Sequence, residues 1–540
     1  MAIEIRFDRE HEARYRAAGY WRDDTLRGWL DARARERPGH DALRQGERRV
    51  TWAELRGLVR ALERALDGLG VRKGDVVAVQ LPNIVEFVVA YLAIAGRGAV
   101  MQTLHMPYRA AELETLLGHS AAVAAVVMAQ AKDYAAAQVA LALRSKLPAL
   151  RHVIAVGTPP ADALGFADLI AGAGANEPAP VALSGADPFL LLYTSGTTSA
   201  PKGAPHAYQT LLCNARLSAE ALDIGPDDVL LSAAPYTHLY GLFTCTLPLA
   251  TGATSLLLPA FSPPDLAVLI HAGRPTVAFA APAHIAACFA QKLFDGKDLS
   301  SLRYLQMSGS AVPPALARAF EPLMRGGKVM QLWGMTELQA GAYTRLADPE
   351  PVRAETTGRP SPGTELRVAR DDGSIAPPGE EGELQVRGAS VFAGYLNDPE
   401  ATRAAFTADC WFRTGDLATM DAAGNTRLAG RTKDVINRGG IKFNPLDVET
   451  LLLKHPAIDQ AAVVPMPDPV LGEKACLFVT LKPGGTLTLA EVTGWLDAAQ
   501  VSKLKWPERL EIVDAMPLTP TRKIIKGQLA KRLAASAAGR

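Results

Sequence analysis

Short β-branched runs alternating with helical stretches predict an α/β architecture: a large N-terminal domain of helix-covered sheets with a small antiparallel β unit, then a small C-terminal α+β domain. Three textures lead there. The first half repeats strand-then-helix patterns. From about Pro360 the chain turns dense in Gly, Pro and alternating β runs, and after Gly430 short strands mix with amphipathic helices.

The elements follow in order. "DVVAVQL" (75–81) is a β-branched run of the kind that forms a buried strand. Asn83 precedes Glu86 by three residues, the spacing of an N-cap and its capping-box partner. Gly96 closes that helix and "GAVMQTL" opens the next strand, which completes one β-α-β unit. "YRAAELETLLGHS" reads as a helix, whereas "AAVAAVVMA" fits a strand or an Ala-rich helix equally. "ATSLLLPA", "TVAFAA" and "LRYLQMSG" read as further strands, and "TELRVARDDGSIAPPGEEGELQVRG" as the antiparallel unit. "AAVVPM" and "KACLFVTLK" (strands) with "PLDVETLLLKH" and "LAEVTGWLDAAQ" (helices) make the last texture, with a boundary near Arg431–Lys433.

A chain of 540 residues exceeds one compact core and predicts three or four structural units. Hydrophobic content of 48% beside 21% charged residues is ordinary for a globular protein. A net charge of +1 gives no electrostatic footprint for nucleic acid or an anionic membrane. The five cysteines are scattered without metal-ligand spacing and read as reduced thiols. The charged N-terminus lacks an apolar signal core, and "NIVEFVVAYLAIAG" is too short to span a bilayer, so the expected location is cytoplasmic.

Chemistry concentrates in "LLYTSGTTSAPKG" (191–203). It crowds hydroxyl residues around one glycine and ends in Lys202, the make-up of a phosphate-wrapping loop or of a solvated turn. It is not G-x-x-x-x-G-K-[ST], because Gly196 lies six residues before Lys202 and no glycine directly precedes that lysine. Four more motifs follow: "QLWGMTE" (331–337), "WFRTGD" (411–416), "GRTKDVINRGG" (430–440) and "PLTPTRKIIKG" (517–527).

In that order the five motifs resemble the acyl-adenylate-forming superfamily: acyl- and aryl-CoA synthetases, adenylation domains of peptide synthetases and the beetle luciferases. The resemblance runs over nearly the whole chain. It implies that a carboxylate attacks the α-phosphorus of ATP, giving acyl-AMP and pyrophosphate, and that a thiol then displaces AMP. Two anions must meet, so cations and aligned donors are needed.

The resemblance also distributes the roles. Thr194, Ser195, Gly196, Thr197, Thr198 and Lys202 would wrap the β- and γ-phosphates, with Ser199 where the family usually has glycine. Glu337 would hold Mg²⁺, and Thr336 would donate to the α-phosphate. Trp333 would stack on adenine, with Ser310 and Ala311 on the other face and Gln331, Gly334 and Met335 beside it. Asp416 would accept both ribose hydroxyls, and Arg431 would contact the same nucleotide. Lys523 would neutralise charge in adenylation, although Arg522 stands where glycine usually precedes that lysine. Lys433 falls at the superfamily's hinge, which divides the chain into an adenylation domain (1–431) and a mobile C-terminal domain (432–540). Gly439 and Gly440 would line the thiol channel together with His238.

"PYTHLYGLF" (235–243) is expected to wall the acyl pocket with Leu239 and Tyr240, joined by Ala280, Ala281, Met307, Gly309 and Leu338. Ligases for dihydroxybenzoate place an asparagine where this chain has Leu239. A buried leucine leaves a ring hydroxyl unpaired at a cost of roughly 1–3 kcal/mol. The pocket therefore suits an apolar acid, whether alicyclic, simple aromatic or medium-chain. The pattern looks most like cyclohexanecarboxylate-CoA ligases and medium-chain relatives, with aryl-acid AMP ligases next. Coenzyme A is the expected acceptor because no carrier motif is attached; delivery to a separate carrier protein is the alternative. The expected assembly is a monomer or homodimer.

Overall fold

The computed structural model describes residues 9–173, 180–194, 202–438, 441–468, 471–519 and 522–538. By contact the chain forms two compact units. The first comprises Met1–Gly196, Ala200–Glu365 and Arg387–Cys410; the second comprises Thr197–Ser199, Leu366–Val386 and Trp411–Arg540.

Among its described residues the first unit holds two large sheets. One, of seven strands, runs Leu164–Gly165, His152–Val156, Ala124–Met128, Val76–Gln80, Val100–Thr103, Pro188–Thr194 and Lys202–Ala207, parallel except for the last pair. The other, of nine strands, has a parallel centre that includes Val229–Ser232, Val277–Ala280, Tyr304–Met307 and Lys328–Met335. Antiparallel strands close both its edges. Ala124–Met128 is a strand, which resolves the ambiguity of its Ala-rich run: its neighbours on both sides supply the pairing that this short apolar run could not specify alone.

The helix Val85–Gly96 shows why periodicity is a weak guide here. Every residue from Val85 to Gly96 except Glu86 is buried, so no polar stripe exists to read. Its start differs from expectation. Ile84 occupies the cap position without a side-chain bond, and Asn83 instead donates to the Ala234 carbonyl (3.0 Å) and accepts from the Tyr236 amide (2.7 Å). Glu86 pairs with Arg48 at 2.7 Å rather than closing a capping box. A tertiary partner outbid the local cap, and the result fixes the turn that leads to His238.

In the second unit, Gly382–Gly388, Phe412–Met420 and Thr426–Arg431 pair antiparallel in a four-stranded sheet begun by Thr364–Ala369. A five-stranded sheet centred on Ile458–Asp468 and Gly472–Leu481 packs against the helices Pro445–Leu452 and Leu489–Ala498. This is the α/β plus α+β architecture read from the sequence.

Candidate active site

Two hairpins in the first unit carry Lys202 and Glu337. Pro188–Thr194 and Lys202–Ala207 pair antiparallel with Thr194 opposite Lys202. Ser195, Gly196, Thr197, Thr198 and Ser199 lie outside the described residues. The second hairpin joins Lys328–Met335 to Gln339–Tyr343, and its turn carries Thr336, Glu337 and Leu338. It is not the helix start that a Thr–Glu pair often marks. Two glycines allow its tightness: a Cβ on Gly334 would lie 1.9 Å from the Gln339 carbonyl oxygen, and one on Gly341 would lie 2.3 Å from the Trp333 ring. Trp333 is buried in the strand against that second glycine. The Gln331 amide is committed elsewhere, donating to the Arg353 and Ala354 carbonyls.

Contacts that no local motif announces hold the turn in place. His206 Nε2 donates to the Thr336 carbonyl at 2.7 Å. Burial drives that imidazole's pKa down to about 4, so it is neutral at physiological pH. The Phe392 amide donates to the Glu337 carbonyl at 2.8 Å, and the Tyr395 hydroxyl donates to Glu337 Oε1 at 2.9 Å. Burial first, then the neighbouring carboxylate, raises the Tyr395 pKa and keeps it a donor. The Lys202 ammonium stands 4.9 Å over the same ring.

The acyl-pocket candidates gather at the carboxyl ends of adjacent parallel strands, where open α/β sheets place their ligands. Ala280 ends one strand and Ala281 caps the helix that follows it, Met307 ends the next strand, and Gly309 follows with φ +96, a left-handed value that favours glycine. Ser310 and Ala311 come directly after and are exposed. His238 caps the helix Leu239–Thr251 by accepting from the Tyr240 amide, and Leu239 is buried. The Tyr240 hydroxyl donates to the Gln306 carbonyl at 2.8 Å. His238, Leu239 and Thr336 line a cavity of about 10 Å³ with His105, Thr237 and Tyr193. The His105 and His238 rings stack with centroids 6.2 Å apart, and His105 Nδ1 lies 3.1 Å from Thr237 Oγ1. Burial lowers the His105 pKa to about 4.

The remaining candidates fall in the second unit. Asp416 and Arg431 face each other across neighbouring strands and pair at 2.9 Å. Lys433 follows in the short turn Thr432–Asp434, its ammonium disfavoured by burial and by Arg431. Lys523 is braced in a tight turn, where its amide donates to Thr519 Oγ1 and its carbonyl accepts from the Thr519 amide. Burial, then Arg431, lowers its pKa to about 8; Asp416 opposes and Lys433 adds to the shift. Gly439 and Gly440 lie outside the described residues.

Of the contributing groups, the motifs did not reveal His105, His206, Phe392 or Tyr395. His105 stands in "LHMPYR" and Tyr395 in "FAGYLNDPEAT", and only folding shows what either touches.

The profile of the AMP-binding enzyme family matches residues 30–396, and that of the AMP-binding enzyme C-terminal domain matches 447–523. The chain belongs to the AMP-binding enzyme family. Its similarity to the salicyl-AMP ligase / salicyl-S-ArCP synthetase of Mycobacterium tuberculosis is 37% identity over 98% of this chain and 94% of that protein. To the medium-chain fatty-acid–CoA ligase of Escherichia coli it is 33%, with the same coverage. Among solved structures, the anthranilate CoA ligase AuaEII in complex with anthranoyl-AMP superposes with a TM-score of 0.87 at 28% identity, covering 95% of this chain and 98% of that one. As an AMP-binding enzyme the chain is an AMP-forming ligase of acyl or aryl acids, which use ATP. No helix among the described residues is long and apolar enough to cross a membrane.

Proposed function

We propose that the protein is an ATP-dependent acyl-CoA ligase. It activates an apolar-bodied carboxylic acid as acyl-AMP and passes the acyl group to coenzyme A. The observation that carries this reading is the convergence of Lys202 and Glu337 on Tyr395 while the adjoining Thr336 lines a cavity with His238 and Leu239. This supports reading Lys202, Glu337 and Thr336 as the phosphate-side groups and Leu239 as part of the acyl wall.

In the first half-reaction a carboxylate oxygen bonds to the α-phosphorus and the bond to the β-phosphate oxygen breaks, releasing pyrophosphate. Lys202 and Thr194 bind the outer phosphates, Thr336 donates to the α-phosphate, and Trp333, Ser310 and Ala311 hold the adenine. Asp416 and Arg431 take the ribose, and Lys523 offsets charge building between carboxylate and phosphate. No group of three or more Asp, Glu, His or Cys that could hold a metal ion occurs among the described residues. Glu337, a single buried carboxylate, fits Mg²⁺, which it would hold together with phosphate and water oxygens. Bound there, the ion would neutralise phosphate charge. In the second half-reaction the thiolate attacks the acyl carbon and AMP leaves, with His238 beside the thiol's approach. Lys433 is the swing point that divides 1–431 from 432–540.

A second reading, transfer to a carrier protein, is favoured by the salicyl-S-ArCP synthetase similarity. Leu239 opposes a hydroxylated benzoate, because a buried leucine cannot pair the hydroxyl. The test is AMP formation from cyclohexanecarboxylate, benzoate, 2,3-dihydroxybenzoate, hexanoate and octanoate, with and without coenzyme A. Turnover that needs coenzyme A and peaks with an unsubstituted acid is expected. Slow pyrophosphate release indifferent to coenzyme A, highest with the hydroxybenzoate, overturns the proposal in favour of the carrier reading.

A further inference from the structure

We propose that Tyr395 is a positioning residue for metal–triphosphate binding, steering the Glu337 carboxylate through its hydroxyl and the Lys202 ammonium through its ring. The inference rests on the reading of Glu337 as metal ligand and Lys202 as phosphate contact.

Four contacts from one short segment carry it. The Tyr395 hydroxyl donates to Glu337 Oε1 at 2.9 Å, and the Phe392 amide donates to the carbonyl of the same glutamate at 2.8 Å. Side chain and backbone of Glu337 are therefore both held from residues 392–395. The Leu396 amide donates to the Gly203 carbonyl at 2.8 Å, next to Lys202, whose ammonium lies 4.9 Å over the Tyr395 ring. The segment thus grips both hairpins at the residues that carry their charges.

The segment is itself anchored. The Ala389 carbonyl accepts from Trp21 Nε1 at 2.7 Å, and Gly203 packs closely on the segment, since a Cβ there would lie 3.2 Å from that of Leu396. A carboxylate turns freely about its last bond unless one oxygen is tied. With Oε1 accepting from the phenol, rotation of the Glu337 carboxylate is restricted before an ion arrives. Partners that orient a metal ligand are worth about 10- to 100-fold in metal affinity. A cation within about 6 Å of an aromatic face is attracted to it, so the ring also sets where Lys202 waits.

The two functions separate by substitution. Tyr395→Phe keeps the ring and loses the hydroxyl; Tyr395→Leu loses both. ATP binding is measured by calorimetry without any acid, so nothing turns over, across a titration of Mg²⁺, and Mn²⁺ binding with ATP present is followed by electron paramagnetic resonance. Tyr395→Phe is expected to bind ATP within about twofold of wild type at saturating metal but to need about 10-fold more metal. Tyr395→Leu should share that defect and also bind ATP about threefold more weakly at saturating metal. A metal titration of Tyr395→Phe that superimposes on wild type overturns the proposal. So does a loss in Tyr395→Phe that is equal for metal and ATP and follows its loss of melting temperature, the mark of a merely structural residue. If wild-type protein binds no ATP at any metal concentration, the site reading fails and takes the proposal with it, which is distinct from a wild type that binds and a variant that matches it.

Discussion

Arg522 holds a left-handed backbone conformation, φ +62, in the turn that presents Lys523. A side chain at such a φ costs roughly 1–2 kcal/mol relative to glycine. The sequence marked this position, because the five-motif resemblance leads one to expect glycine before the lysine; the left-handed φ supplies the reason. Arg522→Gly should stabilise the protein by about 1 kcal/mol, since the unfolded chain's added freedom offsets part of the relief. Urea unfolding of the two proteins checks this, and a variant less stable than its parent would mean that the arginine side chain outweighs its backbone strain. Tyr395 and His206 could not be marked in the same way. Their partners, Glu337 and Thr336, lie 58 and 130 residues away, so no local pattern encodes the contact.

At the level of elements, legibility depended on whether a motif was local. The hairpin that bears Thr336 and Glu337 was recognisable as "QLWGMTE", yet its form was not, because its closure depends on glycines packing against backbone and ring. Asn83 shows the converse: the cap spacing was present, but the Ala234–Tyr236 turn competed for the same amide and won. Gly334 tests the hairpin. A methyl group there would sit 1.9 Å from the Gln339 carbonyl oxygen, which as backbone cannot swing aside. Gly334→Ala should therefore displace the turn and reduce AMP formation by at least about 100-fold, in the range that a misplaced catalytic group costs. The control is Gly57, in the helix Trp52–Gly68, where nothing lies within 4 Å of an added Cβ. Gly57→Ala should keep full activity and gain about 1 kcal/mol in stability. Wild-type rates in Gly334→Ala would show that the hairpin tolerates a wider turn.

For the molecule as a whole, the texture change near Pro360 anticipated the four-stranded sheet, whose first strand begins at Thr364. The grouping of that sheet with the C-terminal stretch was not legible, since it rests on contacts far apart in sequence. Within this second unit the environment of Lys523 decides a property of the whole reaction. Burial, Arg431 and Lys433 disfavour its charge, Asp416 favours it, and its pKa falls to about 8. In the role proposed for Lys523, adenylation uses its ammonium, so formation of acyl-AMP should decline as pH rises through about 8, falling about tenfold between pH 7 and 9. Acyl transfer from supplied acyl-AMP, for which the proposal gives Lys523 no role, should not decline there. Stability moves the opposite way. The folded pKa lies below the unfolded value of about 10.4, so the unfolded chain binds more protons between them, and this lysine's contribution makes the fold more stable as pH rises over that window. Rate loss above pH 8 therefore cannot be unfolding caused by this group. Single-turnover pyrophosphate release and thioester formation, each measured from pH 6.5 to 9.5, separate the two half-reactions. Lys523→Arg, charged throughout, should be slower at pH 7 but flat to pH 9.5. An adenylation rate that stays level in wild type, or one that falls equally in Lys523→Arg, would remove Lys523 from the role assigned to it.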